Sequence, residues 1–208
     1  EPLALLEGAE QAYHDYDLRA FENPAWMYAG ARHALELRAR RTEFLGVFEP
    51  ALLPFARWLA GNTARRSCRG GYGVLPVPAE LPGALDTLDA MLDGSRSAFE
   101  TFLRIPLPAK RRNIELDWKD YDNLGYLSGH SVGEAESAMF DALVQSHASL
   151  DIPLIILSAE QLDAPQLGEL FYFLELTAAL CAAADGLNPF DRKRTSPTRA
   201  QAAACLQG

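Results

Sequence analysis

Residues 42–60, TEFLGVFEPALLPFARWLA, decide the fold, because they contain one strand and one helix in direct succession. Thr42–Phe48 is a short apolar run of strand length, and Glu49-Pro50 breaks it. From Ala51 to Ala60, apolar side chains recur on one face of a predicted helix. The stretch therefore predicts a strand followed by a returning helix, which is the repeating unit of an α/β fold.

The same alternation predicts three further strands, at Tyr72–Val77, Ala98–Ile105 and Ile152–Leu157, with helices between them. Ala98–Ile105 (AFETFLRI) alternates as a partly exposed strand does, whereas the apolar Ile152–Leu157 (IPLIIL) predicts a strand buried in the middle of the sheet. The long connections require parallel strands. The predicted fold class is therefore α/β, a three-layer α/β/α sandwich with a parallel sheet of four to five strands.

Helix boundaries are marked at two places in the second half of the chain. Ser131 is a candidate N-cap with Glu134 three residues later, and a long helix over residues 164–184 ends before Gly186. We find no linker that would split the chain. Residues 1–191 are thus predicted to be a single domain, and residues 192–208 a C-terminal tail.

Composition excludes several classes of function. The net charge of −9 disfavours binding to nucleic acid or to an anionic membrane surface. No apolar stretch reaches 18 residues, so no membrane partner is predicted. The three cysteines are widely spaced, without a histidine at zinc spacing, which indicates reduced intracellular thiols and no metal site. Because the chain starts at Glu1 without a methionine, we expect it to be a processed, trimmed or incomplete form of a longer protein.

Several segments, taken in order, resemble the C-terminal half of bacterial glucose-6-phosphate isomerases. These segments are ENPAWMYAGARHAL (22–35), FLGVFEPALLPFARWLAG (44–61), AFETFLRI (98–105), DNLGYLSGHSVGEAESAMFDALVQSH (122–147) and the NPFD stretch (188–191). The resemblance covers residues 3–192. It implies that residues 1–191 are a single SIS-like domain with a parallel sheet. It also implies a cytoplasmic protein and the interconversion of glucose 6-phosphate and fructose 6-phosphate without a metal or organic cofactor.

The resemblance includes departures at the family's catalytic positions. The position of the proton-transferring carboxylate holds Asn62, that of the catalytic histidine holds Asp86, and Arg199 falls near that of the lysine. An amide cannot accept a proton from carbon at useful rates, and arginine keeps its proton too firmly for acid–base work. No catalytic residue is therefore predicted, and whether the chain is an enzyme stays open.

Ligands of parallel α/β sheets bind beyond the carboxyl ends of the strands. Glu49 and Glu80 follow predicted strands, while Arg65, Arg66 and Arg192 are the basic residues that could reach an anionic ligand. Each also has a plainer interpretation, as a cap, an ion-pair partner or a solvated helix end.

Other titratable residues receive structural interpretations. Asp86 and Asp89 are predicted on a solvated helix face, and His147 is predicted to be a packing or helix-terminal residue.

Three functions stay open at this point. The first is a sugar-phosphate-binding SIS domain that does not catalyse isomerisation as this chain alone. The second is the C-terminal half of an active isomerase that another SIS domain completes. The third is a non-catalytic interaction or scaffold domain. The resemblance implies a homodimer or an association with a first SIS domain, which holds most of the phosphate contacts in the family.

Overall fold

The computed structural model describes residues 1–17, 22–68, 71–92, 96–105, 113–115, 119–121, 123–159, 161–191 and 197–207. Its sheet has four strands: β1 (Thr42–Val47), β2 (Leu75–Glu80), β3 (Ala98–Arg104) and β4 (Leu154–Ser158). The strand order is β2-β1-β3-β4, and all three pairings are parallel. The predicted α/β fold with a parallel sheet is thereby confirmed.

Helices cover both faces of the sheet. The helices are α1 (Pro2–Asp15), α2 (Pro24–Leu37), α3 (Leu53–Ser67), α4 (Leu85–Leu92), α5 (Val132–Ser149), α6 (Ala164–Ala184) and α7 (Pro197–Gln207). Since side chains alternate along a strand, Leu45 and Val47 of β1 pack with α2, α3 and α6, whereas Phe44 packs with α4 and α5. The result is the three-layer sandwich that the sequence predicts.

The helix starts follow local sequence signals. Asn23 caps α2 by accepting a hydrogen bond from the backbone of Ala25, and Pro24 occupies the first helical position. Ser131 and Glu134 form the predicted capping box at the start of α5. Gly186 follows Asp185, the C-cap residue of α6, and has a φ of 70°, a backbone conformation that favours glycine.

The predicted positions of two strands in the sheet are wrong. β3 is an interior strand that is buried from Ala98 to Leu103, whereas β4 lies at the edge and leaves Ile156 45% exposed. The polar residues of β3 suggested exposure, but Glu100 and Thr101 are buried because each has a polar partner inside the protein. The second strand also begins at Leu75 rather than at Tyr72.

Among the described residues, α6 is the one helix long and apolar enough to cross a membrane. The core helices of soluble proteins meet the same criteria, and α6 packs against α1, α2 and α3.

The contact between α6 and α1 is close because Gly8 faces the carbonyl of Pro165 and Gly168 faces the carbonyl of Leu5. A Cβ atom at either glycine would overlap the backbone of the other helix.

Candidate functional site

Two cavities lie at the carboxyl ends of the strands. The β4 cavity, about 490 Å³, is enclosed by the ends of β3 and β4, the first half of α6, and Tyr16. The β2 cavity, about 810 Å³, lies between the ends of β1 and β2 and helix α4. Both volumes fall in the range of small-molecule sites, roughly 300–1,000 Å³. The structure thus places both of these cavities at the edge of the sheet where ligands of this fold class bind.

The β4 cavity combines an apolar wall with a few polar groups. Leu103, Ile105 and Leu157 supply part of the wall, and Gln166 and Glu169 of α6 face the cavity. The buried Oε1 atom of Gln166 has no hydrogen-bond partner among the described residues. Because this oxygen is inaccessible to solvent, a sugar hydroxyl in the cavity could reach it only after the Gln166 side chain rotates.

Tyr16 and Glu169 form a hydrogen-bonded pair at the same cavity. The Tyr16 hydroxyl donates to Oε1 of Glu169 over 2.7 Å. Burial, the hydrogen bond and the charge of Glu169 together raise the pKa of Tyr16 far above its ordinary value. The pair therefore presents a neutral phenol beside a carboxylate, a combination that suits hydroxyl groups better than an anion.

The β2 cavity is mainly apolar. Phe48, Val77 and Leu81 line it, with Glu80 at its margin and Thr87 of α4 opposite. No lysine or arginine within the described part of the chain lines either cavity. A phosphate group would therefore need a cation from outside the residues that line these two cavities.

The structure brings the predicted ligand residues together in two separate pairs. Glu49 follows β1, and Glu80 is the last residue of the neighbouring strand β2. Because Val47 of β1 pairs with Glu80, both glutamates lie at the carboxyl edge of the sheet. The Glu49 carboxylate accepts a hydrogen bond from the backbone nitrogen of Ala51 over 3.0 Å, so it acts as a cap. Glu80 is exposed.

Arg65 and Arg66 lie in the last turn of α3, near the start of β2 and thus at the opposite edge of the sheet. Arg66 forms an ion pair with Glu175 of α6, whereas Arg65 is exposed. Helix α3 runs from the carboxyl edge of the sheet, where Glu49 and Glu80 lie, to the opposite edge. The two arginines are therefore remote from the two glutamates. Arg192 lies outside the described residues.

The three positions that the sequence resemblance matches to the family's catalytic groups lie on three different helices. Asn62 is buried on α3 and its amide donates a hydrogen bond to Glu175, which also binds Arg66. Asp86 is exposed on α4, and Arg199 is exposed on α7. Asn62 thus joins α3 to α6 through a shared carboxylate, which is a packing role.

Sequence reasoning missed a buried polar group on one face of the sheet, which we call the α2-side cluster: Tyr28, Arg32, Glu43 and Thr101. Oε1 of Glu43 accepts hydrogen bonds from Tyr28 (2.6 Å) and Thr101 (2.7 Å), and Oε2 accepts from Arg32 (3.0 Å). Burial is the largest single influence on the pKa of Arg32 and lowers it, but Glu43, Cys181 and Tyr28 together outweigh burial, so the pKa is raised. The cluster is a closed ion pair with its carboxylate oxygens satisfied.

A second buried group, the α5-side cluster of Asp89, Glu100 and His147, lies on the other face. His147 Nδ1 is 2.7 Å from Glu100, and Nε2 is 2.7 Å from Asp89. Burial alone would lower the pKa of His147, yet the two carboxylates outweigh it and raise that pKa. Burial raises the pKa of Glu100, although His147 opposes the change.

The α5-side cluster tests two sequence predictions. His147 is only 1% exposed and packs at the end of α5, in agreement with its predicted role. Asp89 is exposed on α4, as predicted, and its carboxylate also contacts His147. The central carboxylates of the two clusters, Glu43 and Glu100, lie in the first halves of β1 and β3, away from the cavities at the carboxyl ends of the strands. They are therefore parts of the core rather than of the candidate ligand site.

Comparison with solved structures defines the class of protein first. The fold matches a hypothetical protein of Thermus thermophilus with a TM-score of 0.86, at 18% identity over 99% of this chain and 50% of that one. It also matches a glucose-6-phosphate isomerase of Chlamydia trachomatis with a TM-score of 0.71, at 17% identity over 99% of this chain and 42% of that one. The chain is thus an α/β protein with a SIS-like fold.

Sequence comparison identifies the family. No family model matches the chain. Glucose-6-phosphate isomerases of Streptococcus thermophilus and Streptococcus pneumoniae are 34% identical to it over 194 residues, which cover 91% of this chain. The chain therefore belongs to the glucose-6-phosphate isomerase family, and it spans 42% of the length of these relatives.

Proposed function

We propose that this chain is a sugar-phosphate-binding SIS domain of the glucose-6-phosphate isomerase type, which does not catalyse the isomerisation on its own. The observation that carries the proposal is the 34% identity to such isomerases over 91% of the chain. The ligand would be a hexose phosphate, since that is the substrate class of the family. We expect a cytoplasmic protein, in line with the metabolic role of these relatives.

The β4 cavity supports the binding part of the proposal. The Glu169 carboxylate can accept hydrogen bonds from sugar hydroxyls, Ser158 can also donate one, and the Gln166 amide can accept one once its side chain rotates toward the cavity. The apolar wall would pack against the carbon face of the sugar. Such a mixture of apolar surface and a few converging polar groups is typical of small-molecule sites.

The non-catalytic part of the proposal rests on Asn62. The isomerisation needs a carboxylate within hydrogen-bond reach of a carbon-bound proton. Asn62 has no carboxylate, and its amide is buried and bound to Glu175. A base at this position would therefore require both a different residue and a different packing of α3 on α6.

A second function is favoured by the length of the match: the C-terminal half of an active isomerase, completed by another SIS domain. The chain spans 42% of its isomerase relatives, and no described arginine or lysine lines either cavity. A first SIS domain would supply the phosphate contacts in this case. Association with such a domain, or a homodimer, would then be needed for activity.

Thermal unfolding of the purified chain tests the binding proposal. We expect fructose 6-phosphate or glucose 6-phosphate to raise the melting temperature by about 5–10 °C at roughly 100 times the dissociation constant. Inorganic phosphate at the same concentration should give no such rise. Replacing Gln166 by Met should reduce the shift, whereas Gln145→Met, at an exposed position on α5, should leave it unchanged.

The outcomes separate the candidate functions. A shift with sugar phosphates, together with no turnover in a coupled isomerase assay, supports the proposal. Turnover that appears only after addition of a separately purified first SIS domain supports the second function instead. If no sugar phosphate binds under either condition, both are wrong, and an interaction or scaffold domain is left.

A further inference from the structure

Three side chains with metal-ligating atoms meet at the amino edge of the sheet, remote from both cavities. His33 and Glu36 are three residues apart on α2, so they lie on the same face of that helix. Asp185 caps the C-terminal end of α6. One ligand atom from each side chain lies within 4.8 Å of the other two.

The two carboxylates are held in place by the fold. Glu36 is buried, and its Oε1 atom accepts a hydrogen bond from the backbone nitrogen of Gly73 over 2.6 Å. The side chain of Asp185 is only 4% exposed. One carboxylate is thus oriented by a backbone hydrogen bond, and the other is enclosed where α6 ends.

The histidine has an unsatisfied nitrogen that faces this group. Nδ1 of His33 is buried and makes no aligned hydrogen bond, although it lies 3.2 Å from Oδ1 of Asp185. The neighbouring Arg32 is already engaged by Glu43. Two carboxylates and one imidazole therefore meet at this point, which is a group that a cation can join.

We propose that His33, Glu36 and Asp185 bind one divalent first-row transition-metal ion, with Zn²⁺ as the ion to test. One imidazole nitrogen and two carboxylate oxygens are a donor set that such ions accept, whereas Mg²⁺ and Ca²⁺ prefer oxygen alone. Three protein ligands leave at least one position of the ion to be filled by water. The ion would join the end of α2 to the end of α6 and, through Glu36, to the loop that enters β2 at Gly73.

Metal titration of the full chain, first treated with a chelator, tests this site. Calorimetry should show about one Zn²⁺ bound, and the melting temperature should rise by about 5–10 °C at roughly 100 times the dissociation constant. Mg²⁺ and Ca²⁺ should give a much smaller rise. Co²⁺ should give a visible spectrum without a thiolate charge-transfer band, which excludes binding through Cys205 or Cys68.

The variants His33→Ala and Asp185→Asn should each abolish the stoichiometric binding and the rise in melting temperature. His130→Ala, at an exposed histidine before α5, is the matched control and should bind as the unmodified chain does. If Asp185→Asn does not fold, Glu36→Gln replaces it. The proposal is wrong if His33→Ala still binds Zn²⁺ with equal affinity, or if no transition-metal ion binds, in which case His33 and Asp185 form an ion pair only.

Discussion

The two buried polar clusters lie on opposite faces of one sheet and differ in how their charges are balanced. In the α2-side cluster, one arginine faces one carboxylate, and two hydroxyl groups complete the hydrogen bonds of Glu43. In the α5-side cluster, two carboxylates share one imidazole, and Oε1 of Glu100 has no partner among the described residues. The first cluster is balanced in charge, although Nη2 of Arg32 pairs with Glu43 without an aligned hydrogen bond, and the second has an excess of negative charge.

The two clusters also differ in whether their charges change with pH. Arg32 and Tyr28 both have raised pKa values, so both keep their protons through the physiological range. Against the opposing effect of burial, Asp89 and Glu100 raise the pKa of His147 above the ordinary histidine value of 6.5, so its charge differs between the folded and unfolded chain above that pH. The α2-side cluster should therefore act as a constant part of the core, and the α5-side cluster as the part whose contribution depends on pH.

The largest effect is expected when the balanced cluster is broken. Replacing Arg32 by Met leaves the Glu43 carboxylate buried without its counter-charge, which should lower the free energy of unfolding by about 3–5 kcal/mol. Urea unfolding followed by circular dichroism measures this change. The matched control is Arg57→Met, at an exposed arginine on α3, which should stay within about 0.5 kcal/mol of the unmodified chain. A loss below about 1 kcal/mol for Arg32→Met would remove the distinction between the clusters.

The next effect is the pH dependence of the second cluster. The folded-state pKa of His147 is raised above 6.5, so its contribution is fully present below that pH and is lost as pH rises through the folded-state pKa. Glu100, with a pKa raised above 4.5, acts in the same direction from a lower pH. We expect the free energy of unfolding to fall with pH above 6.5, by at most about 1.4 kcal/mol for each pH unit and proton.

The variant His147→Gln isolates this contribution. Its urea midpoint should be lower than that of the unmodified chain at pH 6, and the difference between the two should become smaller as pH rises toward 9. His14→Gln, at an exposed histidine on α1, should show the same pH profile as the unmodified chain. Parallel profiles for His147→Gln and the unmodified chain would mean that the α5-side cluster is as fixed as the other one.

The smallest effect is expected at the outer end of the α5-side cluster. Asp89 is 55% exposed, so its contact with His147 is screened by water, and Asp89→Asn should cost only about 0.2–1 kcal/mol. Asp86→Asn, one turn earlier on the same helix and exposed, is the control and should be close to neutral. The same urea titration measures both. A cost above about 2 kcal/mol for Asp89→Asn would show that this carboxylate is as critical as Glu43.

The layers of the fold could be predicted from the sequence, but the positions of its strands could not. Strand and helix patterns alternate clearly, and the connections leave parallel pairing as the outcome. Which strand lies at the edge depends on partners that are distant in the chain. Glu100 is polar yet buried because His147 lies 47 residues later, and Ile156 is apolar yet half exposed because no further strand covers β4 within the described residues.

The candidate sites could likewise be predicted only where they depend on local sequence patterns and not on distant partners. The carboxyl edge of the sheet could be predicted, because it depends only on strand direction. Gln166 could not be singled out, since its lack of a partner is visible only in the folded chain. The group at His33 and Glu36 has no zinc-type spacing, and its third member, Asp185, lies about 150 residues away. Short-range motifs cannot reveal a site whose members come from opposite parts of the chain.

The close packing of α1 on α6, through Gly8 and Gly168, also has a consequence for biosynthesis. These helices are separated by about 150 residues, which a ribosome adds in roughly 10–30 s at its usual speed. During that interval the nascent chain has an unpaired α1, and its inner face, which includes Ala12, stays in contact with water or a chaperone. Helix α6, apolar along most of its length, must find α1 soon after it leaves the exit tunnel. The yield of folded protein should therefore depend more on the synthesis of α6 than on that of α1.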